Sequence, residues 1–115
     1  MGQLQDRIWV ESQFAASERL GITLPCLAVP WESLSRSRQS LLLEAWERIR
    51  GTIPDRIFAF EEQIKRLQEG LYEEEDFEES CRLNGAIAEL ASRINDLHIW
   101  YRTQQDMDEE RRKHS

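Results

Sequence analysis

The stretch PDRIFAFEEQIKRLQEGLYEEEDFEESCRLNGAIAELASRINDLHIWYRTQQ, residues 54–105, decides the fold of this chain. Its apolar side chains recur at alternating spacings of three and four residues, which is the period of an amphipathic helix. The first run ends near Glu69 and comprises Ile57, Phe60, Ile64 and Leu67. The second run extends from about Glu73 to Gln105 without a proline and comprises Leu83, Ile87, Leu90, Ile94, Leu97 and Tyr101. The pattern therefore predicts two helices that fold into an antiparallel hairpin.

The two predicted helices differ in length. At about 1.5 Å per residue the first is roughly 24 Å long and the second, with its heptad-like, coiled-coil pattern, roughly 50 Å. The shorter helix covers only half of the longer one. The rest, Glu89 to Tyr101, must therefore bury its apolar stripe against the N-terminal part of the chain or against another chain.

Two more helices are predicted before the hairpin. The first extends from about Gln3 to Leu20, and the second from Ser35 or Ser37, either of which can act as its N-cap, to Arg50. The connection between them, residues 21–30, carries no charge and contains two prolines. Because its aliphatic side chains would be costly to leave in water, we expect it to pack against the core.

Glycines mark the ends of the predicted helices. Gly21, Gly51 and Gly70 each follow charged or long side chains, where a left-handed C-terminal cap favours a residue without a Cβ atom. Strands are not predicted, because polar and apolar residues do not alternate. We predict an all-α fold: a four-helix bundle-like domain over residues 1–105 with a long C-terminal helix and an antiparallel hairpin of helices 3 and 4, followed by a charged, frayed tail at 106–115.

Charge is concentrated in one segment. The 22 acidic and 15 basic residues give a net charge of −7, and the segment from Glu69 to Glu79 alone holds seven acids and no base. This cluster fits either a helix N-terminus or a docking site. It would be repelled by a phosphate backbone or an anionic lipid surface. No window approaches the roughly 18 apolar residues of a membrane span. We predict a cytoplasmic protein that binds neither nucleic acid nor membrane.

Metal and cofactor chemistry is not supported by the residue types present. The two cysteines, Cys26 and Cys81, and the two histidines, His98 and His114, lack the spacing of a zinc site. We expect both thiols to be buried or half-buried. No glycine-rich loop precedes a helix as a phosphate cradle requires. The sequence therefore predicts no catalytic, metal or cofactor-binding residue and no cofactor.

A hydrolase is kept as the alternative function. The stretch Ala91-Ser92-Arg93-Ile94-Asn95, followed by Leu97 and Tyr101, resembles over about a dozen residues the helical hairpins that dephosphorylate aspartyl-phosphate response regulators in sporulation. That family has a glutamate where Arg93 stands and an aspartate where Asn95 stands, so membership is not inferred. An amide can still orient a water molecule, and Asn95, His98 and Arg102 share one helix face. The alternative is a small, phosphatase-like regulatory hydrolase that acts through these three residues.

Aromatic residues support a binding function more directly. The chain has four tryptophans, and the run from His98 to Arg102 is rich in residue types found at interface centres. Gly85, inside the last helix, costs about 1 kcal/mol relative to alanine, which indicates that another backbone approaches it closely. We predict a non-enzymatic helical protein-interaction or oligomerisation module that binds a protein partner or forms a homodimer. The candidate interface residues are Trp100, Ile99, His98, Arg102, Gly85 and Asn95.

Overall fold

The computed structural model describes the backbone of residues 2–114 and the side chains of residues 4–103. The elements, in chain order, are helix α1 (Gly2–Ser12), strands β1 (Phe14–Ser17) and β2 (Ile22–Pro25), a 3-10 turn (Trp31–Ser33), and helices α2 (Arg36–Arg50), α3 (Ile53–Glu73) and α4 (Phe77–His114). Its contacts divide the chain into two compact units. Residues 1–52 are called unit 1 below, and residues 53–115 are called unit 2.

The predicted fold class is wrong. About 75% of the chain is helical, but β1 and β2 form a two-stranded antiparallel sheet, and the helices do not form a four-helix bundle. Helices α1 and α2 belong to unit 1, whereas α3 and α4 belong to unit 2. The division into a domain at 1–105 and a tail at 106–115 stays a prediction, since the side chains of the tail lie outside the described residues.

A β-hairpin replaces the second half of the first predicted helix. Phe14 pairs with Pro25 and Ser17 pairs with Ile22, so that four residues form the loop between the strands. Ser17 holds this loop: its carbonyl oxygen accepts the Gly21 N–H at 2.8 Å, and its Oγ accepts the Leu20 N–H at 3.2 Å. Gly21 has a φ of 73°, a conformation that glycine adopts without steric cost. The left-handed glycine therefore closes a strand loop instead of capping a helix.

Gln13 fixes the connection that follows the sheet. Its side chain is 5% exposed, and its Oε1 atom accepts the Ala28 N–H at 3.0 Å. Its backbone oxygen accepts the Cys26 N–H at 2.7 Å. The connection is thus held by its backbone, while Leu27 and Val29 remain 36% and 43% exposed. The expectation that residues 21–30 pack against the core therefore holds for Ile22, which is buried, and for the half-buried Leu24, but is wrong for the exposed second half of the segment.

The two thiols are also placed differently from the expectation. Cys26 and Cys81 are both exposed and free, not buried or half-buried. Cys26 follows β2 in the connection held by Gln13, and Cys81 lies on the outer surface of α4. Burial of these side chains could not be read from residue type alone, because a small apolar side chain is also tolerated at the surface.

Helix α2 supplies the main apolar surface of unit 1. Ser35 is its N-cap, since its Oγ accepts the Arg38 N–H at 3.2 Å. Leu42, Ala45 and Trp46 are buried. Spacings of three and four place them on one face of the helix. Gly51 ends the helix in a right-handed conformation, with a φ of −62°, so the predicted left-handed cap is not formed there.

Unit 2 is a hairpin of α3 and α4 joined by residues 74–76. Helix α3 continues through Gly70, which does not cap it. Asp76 is the N-cap of α4, because its Oδ2 atom accepts the Glu79 N–H at 3.1 Å. The buried side chains of the hairpin are Ile53, Phe60, Leu83, Leu90 and Leu97. The half-buried apolar side chains of the same two stripes are Ile57, Ile64, Leu67, Leu71, Ile87, Ile94 and Tyr101.

Two helical glycines lie in open space. A Cβ atom added at Gly70 or at Gly85 would meet nothing within 4 Å. We therefore expect Gly70→Ala and Gly85→Ala each to raise the free energy of unfolding by about 0.5–1 kcal/mol, because alanine loses less backbone entropy in a helix. Urea denaturation followed by circular dichroism measures this. Gly21→Ala is the control and should instead destabilise, since its φ is 73°. A loss of stability at Gly70 would contradict the helical environment described for it.

Candidate interaction surface

An apolar cleft lies along the seam between α3 and α4. It has a volume of about 360 Å³. Its lining residues are Pro54, Ile57, Phe58 and Glu61 from α3, and His98 and Tyr101 from α4. Phe58 is 62% exposed although it lies next to the core stripe. The cleft therefore offers a large aromatic side chain to solvent beside the half-buried Ile57 and Tyr101.

Helix geometry explains why these residues meet. Pro54, Phe58 and Glu61 are spaced by four and three residues, so they form one row beside the core stripe of α3. His98 precedes Tyr101 by three residues and lies on the flank of α4 that faces this row. Because the helices run antiparallel, the beginning of α3 meets the region of α4 around residue 100. The cleft is thus a direct consequence of the hairpin register.

Only part of the predicted interface is brought together. Asn95, His98 and Arg102 are all exposed and follow one another at spacings of three and four residues on the cleft side of α4. Trp100 is half-buried and, at about 100° per residue, points about 160° away from His98. The six predicted residues therefore occupy several sides of α4, and which of them bind stays a prediction.

Ile99 and Gly85 lie on the outer side of α4. Ile99 is 49% exposed, and Gly85 is exposed with no atom close to the place of its missing Cβ. The close backbone approach expected at Gly85 is therefore not present within the described part of the chain. Phe58 is the residue that the sequence analysis missed. The sequence does contain a signal for Phe58: it is a large apolar side chain that directly follows Ile57, a residue of the apolar stripe of α3.

The opposite flank of the hairpin is closed by charged side chains. The guanidinium groups of Arg56 and Arg93 lie over the ring of Phe60, at 5.0 and 5.8 Å from its centroid. Such cation–π contacts contribute about 0.5–1 kcal/mol at exposed sites. Arg93 also pairs with Glu89, with an N–O distance of 3.2 Å. This flank covers its aromatic residue with its own arginines, whereas the cleft leaves Phe58 uncovered.

The acidic cluster lies at the closed end of the hairpin and is called the acidic tip below. It comprises the acidic residues from Glu69 to Glu79, which span the end of α3, the connection and the first turn of α4. Arg82 donates hydrogen bonds to the Glu79 carboxylate, and these bonds lower the pKa of Glu79 and raise that of Arg82. This pair favours the charged form of both groups, and the tip as a whole contains seven acids and no base.

Unit 1 has a groove of its own, with a volume of about 810 Å³. Its apolar lining comes from Val10, Phe14, Leu41, Ala45 and Ile49, and its charged lining from Asp6, Arg7, Glu11, Glu44 and Arg48. On the same unit, the Arg38 guanidinium lies 4.3 Å from the centroid of the Trp9 ring. The charged residues that line the groove include both acids and bases. The groove therefore does not favour a ligand of one particular charge.

The described side chains offer neither a metal site nor a membrane span. Among the residues whose side chains are described, no three His, Cys, Asp or Glu residues group as metal ligands would. Within the same residues, no helix has the length and apolar character needed to cross a membrane.

The chain was also compared with known proteins. It matches no protein-family profile, and no curated protein or solved structure is significantly similar to it.

Proposed function

We propose that this protein is a non-enzymatic helical interaction or oligomerisation module of the cytoplasm, and that the α3/α4 hairpin provides its binding surface. The observation that carries this proposal is the exposure of Phe58, 62%, in an apolar cleft. Large aromatic side chains in concave apolar surfaces are typical of the energetic centres of protein interfaces. The partner is a second copy of the chain or another protein.

The energetics of the hairpin support binding. Full burial of a phenylalanine side chain contributes about 1.5–3 kcal/mol, so covering the exposed part of Phe58 would gain about 1–2 kcal/mol. Ile57 and Tyr101, which are half-buried beside it, would add to this gain. Two helices alone form a small core, and such small folds often gain stability by association. Binding and stabilisation of unit 2 are therefore coupled in this proposal.

Charge defines which partners fit. The acidic tip opposes nucleic acid and anionic membranes, because both surfaces are negative. A protein surface with an apolar centre has no such penalty. The phosphatase-like alternative, through Asn95, His98 and Arg102, remains a prediction, since no observation on the described residues favours it over binding.

Replacing Phe58 with serine is expected to weaken association by about five- to thirtyfold, since a loss of about 1–2 kcal/mol corresponds to these factors. Light scattering over a concentration series measures this, with 13.6 kDa as the mass of one chain. Ile8→Ser is the matched control, because Ile8 is 58% exposed on α1 of unit 1. Equal weakening by both substitutions, or no effect of Phe58→Ser on an associated protein, would contradict the hairpin as the binding surface.

A further inference from the structure

One side of the hairpin is suited to a second copy of the same chain. This side, called the cleft face, consists of one row on each helix, positions 54, 58, 61, 65 and 72 on α3 and positions 84, 88, 91, 95, 98 and 102 on α4. We propose that two copies dock cleft face to cleft face, with each α3 antiparallel to the other α3 and each α4 antiparallel to the other α4. This inference rests on the proposed function and specifies its partner and geometry.

The cleft face has apolar groups at both ends of its α3 row. Phe58 is 62% exposed and Tyr72 is 92% exposed. Between them, the row carries one acid, Glu61, and one base, Lys65. The row on α4 carries no acid and one permanent charge, Arg102 at its end; its other members are Asn84, Ala88, Ala91, Asn95 and His98. The face is therefore close to neutral in a strongly acidic protein, which permits contact between two identical copies.

The acidic tip determines the orientation. If two hairpins docked with their closed ends together, two clusters of seven acids each would lie side by side. In the antiparallel arrangement the tips lie at opposite ends. Helix α3 has 21 residues and is therefore about 30 Å long. This separation is about four Debye lengths at physiological salt, so the repulsion between tips is largely screened.

The register within the hairpin indicates where the two-fold axis passes. The contact between Phe60 and Arg93 places these residues at one level. Because the helices are antiparallel, position 63, halfway between Glu61 and Lys65, corresponds to position 90, one residue before Ala91. An axis at this level sets Glu61 of each copy opposite Lys65 of the other and brings the two Ala91 side chains close together. Phe58 then lies about one turn from the second copy's Tyr72.

The other flank of the hairpin fits a second copy less well. It carries Arg56, Arg93 and Glu89, whose contacts with Phe60 and with each other are already made within the chain. Burying these charges under another molecule would require removing their water, which the attraction within an ion pair often does not repay. On the cleft face, the two charged residues near the axis, Glu61 and Lys65, acquire partners across it, and Arg102 lies at the end of the α4 row, away from the axis.

A cysteine crosslink tests the position of the axis. In a Cys26→Ser/Cys81→Ser background, Ala91→Cys is expected to form a disulfide-linked dimer on mild oxidation, because the two Cα atoms would lie within the reach of a disulfide. Ala86→Cys in the same background is the matched control. It lies on the other flank of α4 and should stay uncrosslinked, as should the Cys26→Ser protein, which keeps Cys81.

A charge exchange tests the contact across the axis without relying on a disulfide. Glu61→Lys places two bases on the row, and Lys65→Glu places two acids there, so each variant alone should associate at least about fivefold more weakly than the wild type. A mixture of the two variants should associate more tightly than either alone, as measured by light scattering. Circular dichroism should show that both variants keep the helical content of the wild type.

The possible results separate the two proposals. A dimer that crosslinks through Ala91→Cys and associates best in the charge-exchanged mixture supports the cleft-face geometry. A dimer that crosslinks through Ala86→Cys, or whose mixture gains nothing, overturns this geometry and leaves the hairpin as an oligomerisation surface. A chain that keeps the mass of a monomer at every concentration overturns both self-association and this inference, and leaves only a different protein as the partner.

Discussion

Phe60→Ala is expected to lower the free energy of unfolding of unit 2 by about 3–5 kcal/mol, the range for deleting a fully buried phenylalanine side chain. Phe60 is 2% exposed and is one of the few fully packed positions of the hairpin. Its ring is also the acceptor for the guanidinium groups of Arg56 and Arg93. The substitution therefore removes apolar contacts and both cation–π contacts at once. Natural domains are stable by only about 5–15 kcal/mol, so this is a large fraction of the total.

The experiment is urea denaturation followed by far-UV circular dichroism, at protein concentrations where light scattering gives the monomer mass. Phe58→Ala is the matched control, because it removes the same side chain two positions away from a site that is 62% exposed. It should change the monomer's stability by less than about 0.5 kcal/mol. Phe60→Leu keeps most of the volume and should give an intermediate loss, which remains measurable if Phe60→Ala does not fold. Equal effects of Phe58→Ala and Phe60→Ala would contradict the packing of α3.

The contrast between these two phenylalanines also indicates what sequence periodicity can predict. Phe60 falls on the stripe of three- and four-residue spacings, and the structure buries it. Because each helix has one apolar stripe, the pattern places both ends of α3 and the beginning of α4 within four residues of their observed positions. The predicted end of α4 is wrong, since the helix continues to His114, nine residues beyond the predicted Gln105. Phe58 lies outside that stripe, and nothing in the spacing indicates whether an extra apolar residue is covered. Its exposure depends on which elements surround α3, which is information that a local pattern does not contain.

The β-hairpin could not be predicted for a different reason. Its strands have four residues each, which is too short for the alternation of a strand to stand out. Gly21 was an ambiguous signal, because a left-handed glycine serves equally in a helix cap and in a strand loop. Two hydrogen bonds support the strand loop: Ser17 Oγ accepts the N–H of Leu20 within the loop, and the buried amide of Gln13 accepts the N–H of Ala28, fifteen residues away. The second bond depends on tertiary structure and has no signature in spacing.

The candidate interaction surface also combines features that follow from helical spacing with features that do not. The shared face of Asn95, His98 and Arg102 follows from helical spacing and is present in α4. Trp100 is half-buried, and the spacing of apolar residues does not indicate whether its ring faces the core or a partner. Its prediction as an interface residue rests on residue type alone. Gly85 was interpreted as a contact point, although a helical glycine also occurs where nothing is near. Residue type alone does not distinguish these cases.

Trp46→Ala is the prediction with the largest expected effect in unit 1, a loss of about 3–5 kcal/mol in the free energy of unfolding. Trp46 is 4% exposed, whereas Trp9 and Trp31 are half-buried. The described buried apolar residues of unit 1 are Leu20, Ile22, Leu42, Ala45 and Trp46. Trp46 is the largest of them, so the cavity left by alanine cannot be filled by small adjustments of its neighbours.

Amide hydrogen exchange can localise this effect to unit 1. In Trp46→Ala we expect faster exchange at Gly21 and Cys26, whose N–H groups are bonded to the carbonyl oxygens of Ser17 and Gln13. Trp46→Phe, which keeps an aromatic ring, should lose less stability and keep more of this protection. Trp31→Ala is the control on the 3-10 turn and should have the smaller effect of a half-buried site. Helix α2 contacts strand β2, and a sheet of two short strands is not stable without packing behind it. Unchanged protection at Gly21 in Trp46→Ala would therefore contradict the dependence of the β-hairpin on the core of α2.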